Sequence, residues 1–316
     1  GNQHIQSCFL QTLYGLTLAK TSFGTLSINL IKGREGMAKT ELTSLQKRIL
    51  TSLIMIPIVI GALQSGHPYV DILVFIVGAM LSWEWASMVP NKKSSVYAVC
   101  YTFAMGCSLL VFNRWVLIAT IALTTLFVFI KAKEEQHRKL LTLGVPYISI
   151  GVGALYWIYY LFDTFGSIPG EKGSFVMTLW FMLMVWGVDI GGYIVGSSLK
   201  GPKLAPKISP NKTWSGLVGG VVLAVAVSFI YMFTVKNIFN LPMPLSEQLK
   251  FAQLGAMIAI VAQIGDLAES AIKRHLGVKD SSSLIPGHGG VFDRIDGLIF
   301  AAPIVYCYFT LVSLSN

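Results

Sequence analysis

Nine apolar runs dominate this sequence, at residues 49–63, 70–89, 96–112, 115–130, 141–162, 175–198, 217–235, 251–272 and 297–314. Each comes near the roughly 20 residues that a helix needs to cross the hydrocarbon core of a bilayer, and several are short. The runs are continuous rather than alternating. In lipid every backbone group must be satisfied within a helix or a closed barrel, so helices are predicted and strands disfavoured. Composition agrees: hydrophobic residues make up 54% of the chain and charged residues 12%, with a mean hydropathy of +0.65, against about 25% charged in soluble domains. The expected fold class is an all-α integral membrane protein, a polytopic bundle of about nine transmembrane helices. No tandem repeat or low-complexity linker divides the runs, so residues 44–316 read as one membrane domain.

The remaining residues, 1–43, read as an amino-terminal extension without a clean apolar span. Within it, Lys32-Gly33-Arg34-Glu35-Gly36 can be encoded by purine-only codons immediately before Met37, the pattern of a translated bacterial ribosome-binding site. The native chain is accordingly expected to begin at Met37. The four cysteines, Cys8, Cys100, Cys107 and Cys307, have neither the pairing nor the histidine spacing of a metal site or a disulfide framework.

Charge sets the orientation. With the amino terminus inside, nine crossings put the segments around 37–48, 90–95, 131–140, 199–216 and 273–296 on one side, and these hold 17 of the 24 Lys and Arg residues. The opposite side holds only Arg114, Lys172, Lys236 and Lys250. Basic loops stay in the cytoplasm, so a cytoplasmic amino terminus is expected. The formal charge of +9 is then explained by orientation signals and contacts with anionic headgroups, and no nucleic-acid partner is required.

Topology does not explain the acids. Glu84, Asp189, Asp266 and Glu269 lie inside apolar runs, where a charge costs about 2.5 kcal/mol or more and usually serves function. Asp266, Glu269, Ser270 and Lys273 share one face of the eighth helix by their i, i+3, i+4, i+7 spacing. Then Pro286-Gly287-His288-Gly289-Gly290 turns the chain, and Asp293 and Asp296 share a face at the start of the ninth helix. Two antiparallel helices joined by this turn would bring Asp266 and Asp293 together. Carboxylates flanked by Lys273, Arg274, Lys279 and Arg294 have the composition of a magnesium–phosphate site, and equally of ion pairs at a helix end. A second segment, from Lys200 to Gly216, holds Lys203, Lys207, Ser209, Lys212 and Thr213 among prolines. It suits a polyphosphate, or a positive-inside loop with helix caps, and lacks the spacing of a P-loop.

The residues from Ser270-Ala-Ile-Lys273-Arg274 through Lys279-Asp280 to Ile285-Pro286-Gly-His288-Gly289-Gly290-Val-Phe-Asp293-Arg294-Ile-Asp296 resemble the long signature of the phosphatidate cytidylyltransferases, also called CDP-diacylglycerol synthases. Asp189-Ile-Gly-Gly192-Tyr193, Lys207-Ile-Ser209-Pro210-Asn-Lys212-Thr213-Trp214, Gly265-Asp266-Leu-Ala-Glu269-Ser270 and Trp83-Glu84-Trp85 are similar to the same family. The similarity spans roughly residues 45–314, with Ser281-Ser282-Ser283 a departure where that family often carries glycine or asparagine.

The resemblance implies the reaction of CTP with phosphatidate to give CDP-diacylglycerol and pyrophosphate, dependent on Mg²⁺, at the cytoplasmic face of a bacterial inner membrane. It implies metal binding by Asp266 and Asp293. Asp296, Lys273 and Arg274 complete the expected catalytic centre, with Asp296 supporting the metal or orienting a neighbouring cation. Lys207, Ser209, Lys212, Thr213, Lys279, His288 and Arg294 are the expected substrate-binding residues, His288 in a positioning role in the turn. The roles of Glu84 and Asp189 stay open between a polar cavity and structural hydrogen bonding. CTP, phosphatidate and membrane lipid are the expected partners, and the oligomeric state, a homodimer included, leaves no trace in the sequence. Two other functions compete: a CTP-dependent lipid-alcohol kinase, which would release CDP, and a secondary transporter of an anionic substrate, since buried carboxylates and broken helices also mark those.

Overall fold

The computed structural model describes residues 44–111, 113–165, 171–287 and 289–315, with the side chains of 44–49, 162–165, 171 and 313–315 excepted. The extension 1–43, the expected start at Met37 and His288 lie outside the described residues. The segment Arg48–Asn316 forms one compact unit, and Gly1–Lys47 forms another, of which only Ser44–Lys47 falls within the described residues.

Every apolar run becomes a helix: α1 (Ser44–Ser65), α2 (Tyr69–Met88), α3 (Ser94–Leu110), α4 (Arg114–Lys131), α5 (Arg138–Phe165), α6 (Glu171–Leu199), α7 (Trp214–Phe239), α8 (Leu245–His275) and α9 (Phe292–Ser315). Among the described residues seven of these nine helices, α2 and α4 to α9, are long and apolar enough to cross a membrane, while α1 and α3 carry shorter apolar stretches. Several helices extend past their apolar runs into polar sequence. In α8 the extension runs to His275, because Glu247 in the first turn and Lys273, Arg274 and His275 in the last complement the helix dipole.

The 200–213 segment, read from the sequence as a loop, contains a two-stranded antiparallel hairpin, β1 (Lys203–Ala205) with β2 (Ser209–Thr213), paired Lys203 to Thr213 and Ala205 to Ser209. It bridges α6 and α7, whose axes come close together: a methyl group on Gly216 would lie 2.8 Å from the carbonyl oxygen of Gly192. The Thr213 hydroxyl caps α7 by accepting from the Gly216 N–H at 3.1 Å, and the Trp214 N–H closes the hairpin base onto the Pro202 carbonyl at 3.1 Å.

The buried core falls into two main groups that meet on α9. One gathers Leu81, Trp85, Tyr97, Tyr101, Leu141 and Ile148 of α2, α3 and α5, and receives Ile299 from α9. The other gathers Trp180, Phe181, Met184, Met232 and Ile258 of α6 to α8, and receives Leu298, Ala301 and Ala302 from α9. Helix α9 is therefore held from both sides, which fixes the direction of its first turn. Large side chains such as Leu123 and Val222 face outward and exposed, the surface that a lipid environment covers.

Candidate active site

The polar residues collect at the end of the bundle where α8 stops and α9 starts. Glu84 of α2 is fully buried there and accepts four hydrogen bonds from a segment about 200 positions away: from the Val291 and Phe292 N–H groups at 2.9 and 2.8 Å, and from the Ser282 and Ser281 hydroxyls at 2.6 and 3.3 Å. A carboxylate at these N–H groups satisfies donors that no helical carbonyl can reach, and the helix dipole favours its charge. Glu84 thus caps α9 and clamps the 281–292 segment onto α2. Of the two roles the sequence left open for Glu84, the structure selects the structural one.

Asp293 lies in the first turn of α9 and turns back toward that segment. Its carboxylate accepts from Lys273 Nζ at 2.7 Å, from the Ser281 N–H at 3.0 Å, from the Ser281 hydroxyl at 3.1 Å and from the Gly290 N–H at 2.8 Å. Gly289 permits this turn: its φ is +85°, and a methyl group on it would sit 2.7 Å from Asp293 Oδ2. Its carbonyl accepts from the Ile285 N–H at 2.8 Å and closes the loop. Lys273 also pairs with Glu269 Oε2 at 2.7 Å, one turn back on its own helix.

Asp296, one turn after Asp293, points elsewhere. With Asp266 and Glu269 of α8 it forms a cluster in which one carboxylate oxygen from each lies within 4.8 Å of the others. Asp266 receives the Ser270 hydroxyl at 3.3 Å and the ammonium of Lys212, which arrives from β2. Asp296 receives the Gly297 N–H at 2.8 Å. The second oxygen of Glu269, Oε1, is buried without a hydrogen-bond partner, a costly condition for a carboxylate unless a cation meets it. Asp189 of α6 interacts electrostatically with Asp266, Lys212 and Arg294.

Five carboxylates (Asp189, Asp266, Glu269, Asp293, Asp296) thus face three cations (Lys212, Lys273, Arg294), and the deficit of positive charge suits a divalent ion. Hard oxygen ligands from a few carboxylates, with further positions left for water and phosphate, are what Mg²⁺ takes. Of the two aspartates expected to hold a metal, Asp266 lies in this cluster. Asp293 lies outside it, its carboxylate turned toward Lys273 and the backbone donors of the turn.

Other expected residues spread around this centre. Lys207 is exposed in the turn of the hairpin, Ser209 opens β2, and Thr213 is occupied as the cap of α7. Arg274 links two segments, its Nε donating to the Ile208 carbonyl at 3.3 Å and its Nη1 to the Val278 carbonyl at 3.1 Å. Lys279 and Arg294 are exposed. Glu269 was absent from the expected site, although its i+3 spacing from Asp266 on one helix face was a usable signal. Ser281, which reaches both Glu84 and Asp293, had none.

The chain matches the cytidylyltransferase family over residues 46–312. It is 31% identical over 271 residues to a protein of Brucella suis named phosphatidate cytidylyltransferase, covering 84% of this chain and 94% of that one. Proteins of the same name from Haemophilus influenzae and Rickettsia felis are 31% and 30% identical, covering 84% and 87% of this chain and 99% and 96% of theirs. With a match running from the first helix to the last and including every carboxylate of the cluster, this chain belongs to the cytidylyltransferase family.

Proposed function

We propose that this protein transfers the cytidylyl group of CTP to phosphatidate, forming CDP-diacylglycerol and pyrophosphate in phospholipid biosynthesis, with Mg²⁺ as its metal. A phosphatidate oxygen forms a bond to the α-phosphorus of CTP. The bond from that phosphorus to the oxygen bridging to the β-phosphorus breaks, and the electron pair leaves with pyrophosphate. A phosphate monoester oxygen is already nucleophilic near neutral pH, so no general base is needed, and positioning with charge neutralisation does the chemistry.

The observation that carries this reading is the meeting of Lys212, from the basic hairpin, with Asp266 of the Asp266–Glu269–Asp296 cluster. Those three carboxylates would hold the Mg²⁺. When bound it supplies Lewis acidity toward phosphoryl oxygens. Lys207 and Lys212 take the triphosphate, while Lys279 and Arg294 add positive charge for the second anionic substrate. Lys273 holds Glu269 and Asp293 in register, and Asp293 keeps the turn shaped around the centre. Arg274 joins the hairpin to the segment after α8. Ser209 and Thr213 shape the hairpin, and His288 serves the turn as a positioning residue.

The membrane arrangement belongs to the same proposal. The nine helices of the described residues cross the inner membrane of a bacterium, with the amino terminus and the active site in the cytoplasm, as the 17-to-4 distribution of Lys and Arg supports. Residues 44–316 are the catalytic domain, 1–43 are an extension, and a homodimer is the assembly to look for.

The test is to supply purified protein with phosphatidate, CTP and Mg²⁺ and to quantify CDP-diacylglycerol and pyrophosphate. Equal amounts of both, absent from Asp266→Asn, support the reading. Formation of CDP in place of pyrophosphate would make the protein a lipid kinase. Flux of an anion across proteoliposomes without CTP turnover would make it a transporter.

A further inference from the structure

At the end of the bundle remote from the carboxylates, α3, α4, α5 and α9 surround a cavity of about 330 Å³. Helix α3 starts at Ser94, shortly after the Glu84 end of α2, and runs away from the site to Leu110, so Arg114 opens α4 at the far end. The cavity wall is apolar, with Leu117 and Ile121 from α4, Ile150 and Ala154 from α5, and Pro303 from α9. Its volume is at the low end of ligand pockets, about 300–1,000 Å³, and suits one slender chain.

Two polar groups interrupt this wall. Arg114 is exposed at the mouth and has no carboxylate in ion-pair reach among the described residues. Ser149 is fully buried, and its hydroxyl has no hydrogen-bond partner. Trp157, whose indole N–H donates to the Ser108 carbonyl near the end of α3 at 2.8 Å, marks the outer level of the cavity. Ser149 lies eight residues earlier on α5, roughly 12 Å deeper at about 1.5 Å per residue. From the mouth inward the cavity therefore presents a cation and then a buried hydroxyl, with hydrocarbon along its walls.

A glycerophospholipid has its phosphate, ester and acyl chain in that same order. Among the described residues Arg114 is moreover one of only four Lys and Arg residues at this end of the helices, so an orientation signal does not account for it. We propose that this cavity binds one anionic glycerophospholipid of the surrounding bilayer. Its phosphate lies on Arg114, an ester carbonyl accepts from Ser149, and one acyl chain follows the apolar wall. A net anion is preferred because no carboxylate side chain that the structure describes pairs with the arginine, whereas a zwitterionic headgroup brings its own cation.

The experiment is native mass spectrometry of the full chain, delipidated and then offered equimolar phosphatidylglycerol and phosphatidylethanolamine. Wild type is expected to retain one phosphatidylglycerol under conditions that strip phosphatidylethanolamine. Arg114→Ala and the length-preserving Arg114→Gln lose that preference several-fold, and Arg114→Lys keeps part of it. Ser149→Ala weakens retention of both lipids without changing their ratio. Equal retention of the two lipids by wild type overturns the proposal, as does a preference untouched by either neutral substitution. So does a lipid-free dimer in which this face is covered by a second copy.

Discussion

The ammonium of Lys273 lies 2.7 Å from Glu269 Oε2 on its own helix and 2.7 Å from Asp293 Oδ1 on the next, so one cation ties the end of α8 to the start of α9. Both acids are nearly buried. Removing the cation leaves two carboxylates without it in a poorly solvated place. Lys273→Met is therefore expected to destabilise the protein by about 3–5 kcal/mol, the cost of breaking a buried ion pair from one side. Urea unfolding in detergent measures this, with Lys273→Arg recovering part of the loss. A wild-type unfolding curve for Lys273→Met would show that the bridge does not hold the two helices.

Glu84→Gln puts an amide donor where the Val291 and Phe292 N–H groups and two serine hydroxyls require an acceptor. Leaving a buried donor unsatisfied costs about 1–3 kcal/mol, and the turn that carries Asp293 loosens with it. Lower thermal stability together with a reduced kcat is expected, while Ser282→Ala, which removes a single donor, is milder. Unchanged stability in Glu84→Gln would mean that the clamp is dispensable.

Asp266→Asn and Asp296→Asn remove charge from a cluster of like charges. Cytidylyl transfer is expected to fall to background, whereas the melting temperature in metal-free buffer holds or rises because repulsion is relieved. Adding Mg²⁺ should stabilise wild type, by about 2.7 kcal/mol at a hundredfold excess over Kd, and should leave Asp266→Asn unmoved. Chelation should abolish wild-type turnover. A lower melting temperature for both variants without metal would recast these aspartates as structural.

Lys212 engages the same carboxylate that a metal would use. A tethered ammonium competes with a divalent ion, so Lys212→Met is expected to bind Mn²⁺ several-fold more tightly than wild type when no nucleotide is present. The same substitution should raise the KM for CTP, since the lysine is then missing from the triphosphate. Electron paramagnetic resonance titration of free Mn²⁺ reads the first effect independently of turnover. Equal or weaker Mn²⁺ binding in the variant would remove Lys212 from the metal's place.

Much of this site was legible because its spacing is local. Asp266, Glu269, Ser270 and Lys273 repeat at helical intervals, and α8 carries them on one face as that period requires. Asp293 and Asp296 are likewise one turn apart, yet they part company in space. Asp293 turns to the donors of residues 281 and 290 and Asp296 to the acids of α8, a division that no period encodes. The hairpin at 203–213 was hidden for a similar reason: its strands are three and five residues long, too short for alternation to register, and are held by the glycine-packed helices on either side.

That the chain is a bundle of apolar helices, and which polar segments interrupt it, can be read from the residues alone, because a helix satisfies its backbone within one continuous stretch of apolar length. The motif residues also determined the family. Which carboxylates meet depends on packing between distant segments. Glu84 reaches N–H groups 207 and 208 positions away, and Lys212 reaches an aspartate 54 positions away. Such contacts follow from how α2, α8, α9 and the hairpin pack together, and the burial they create gives each charge its partner.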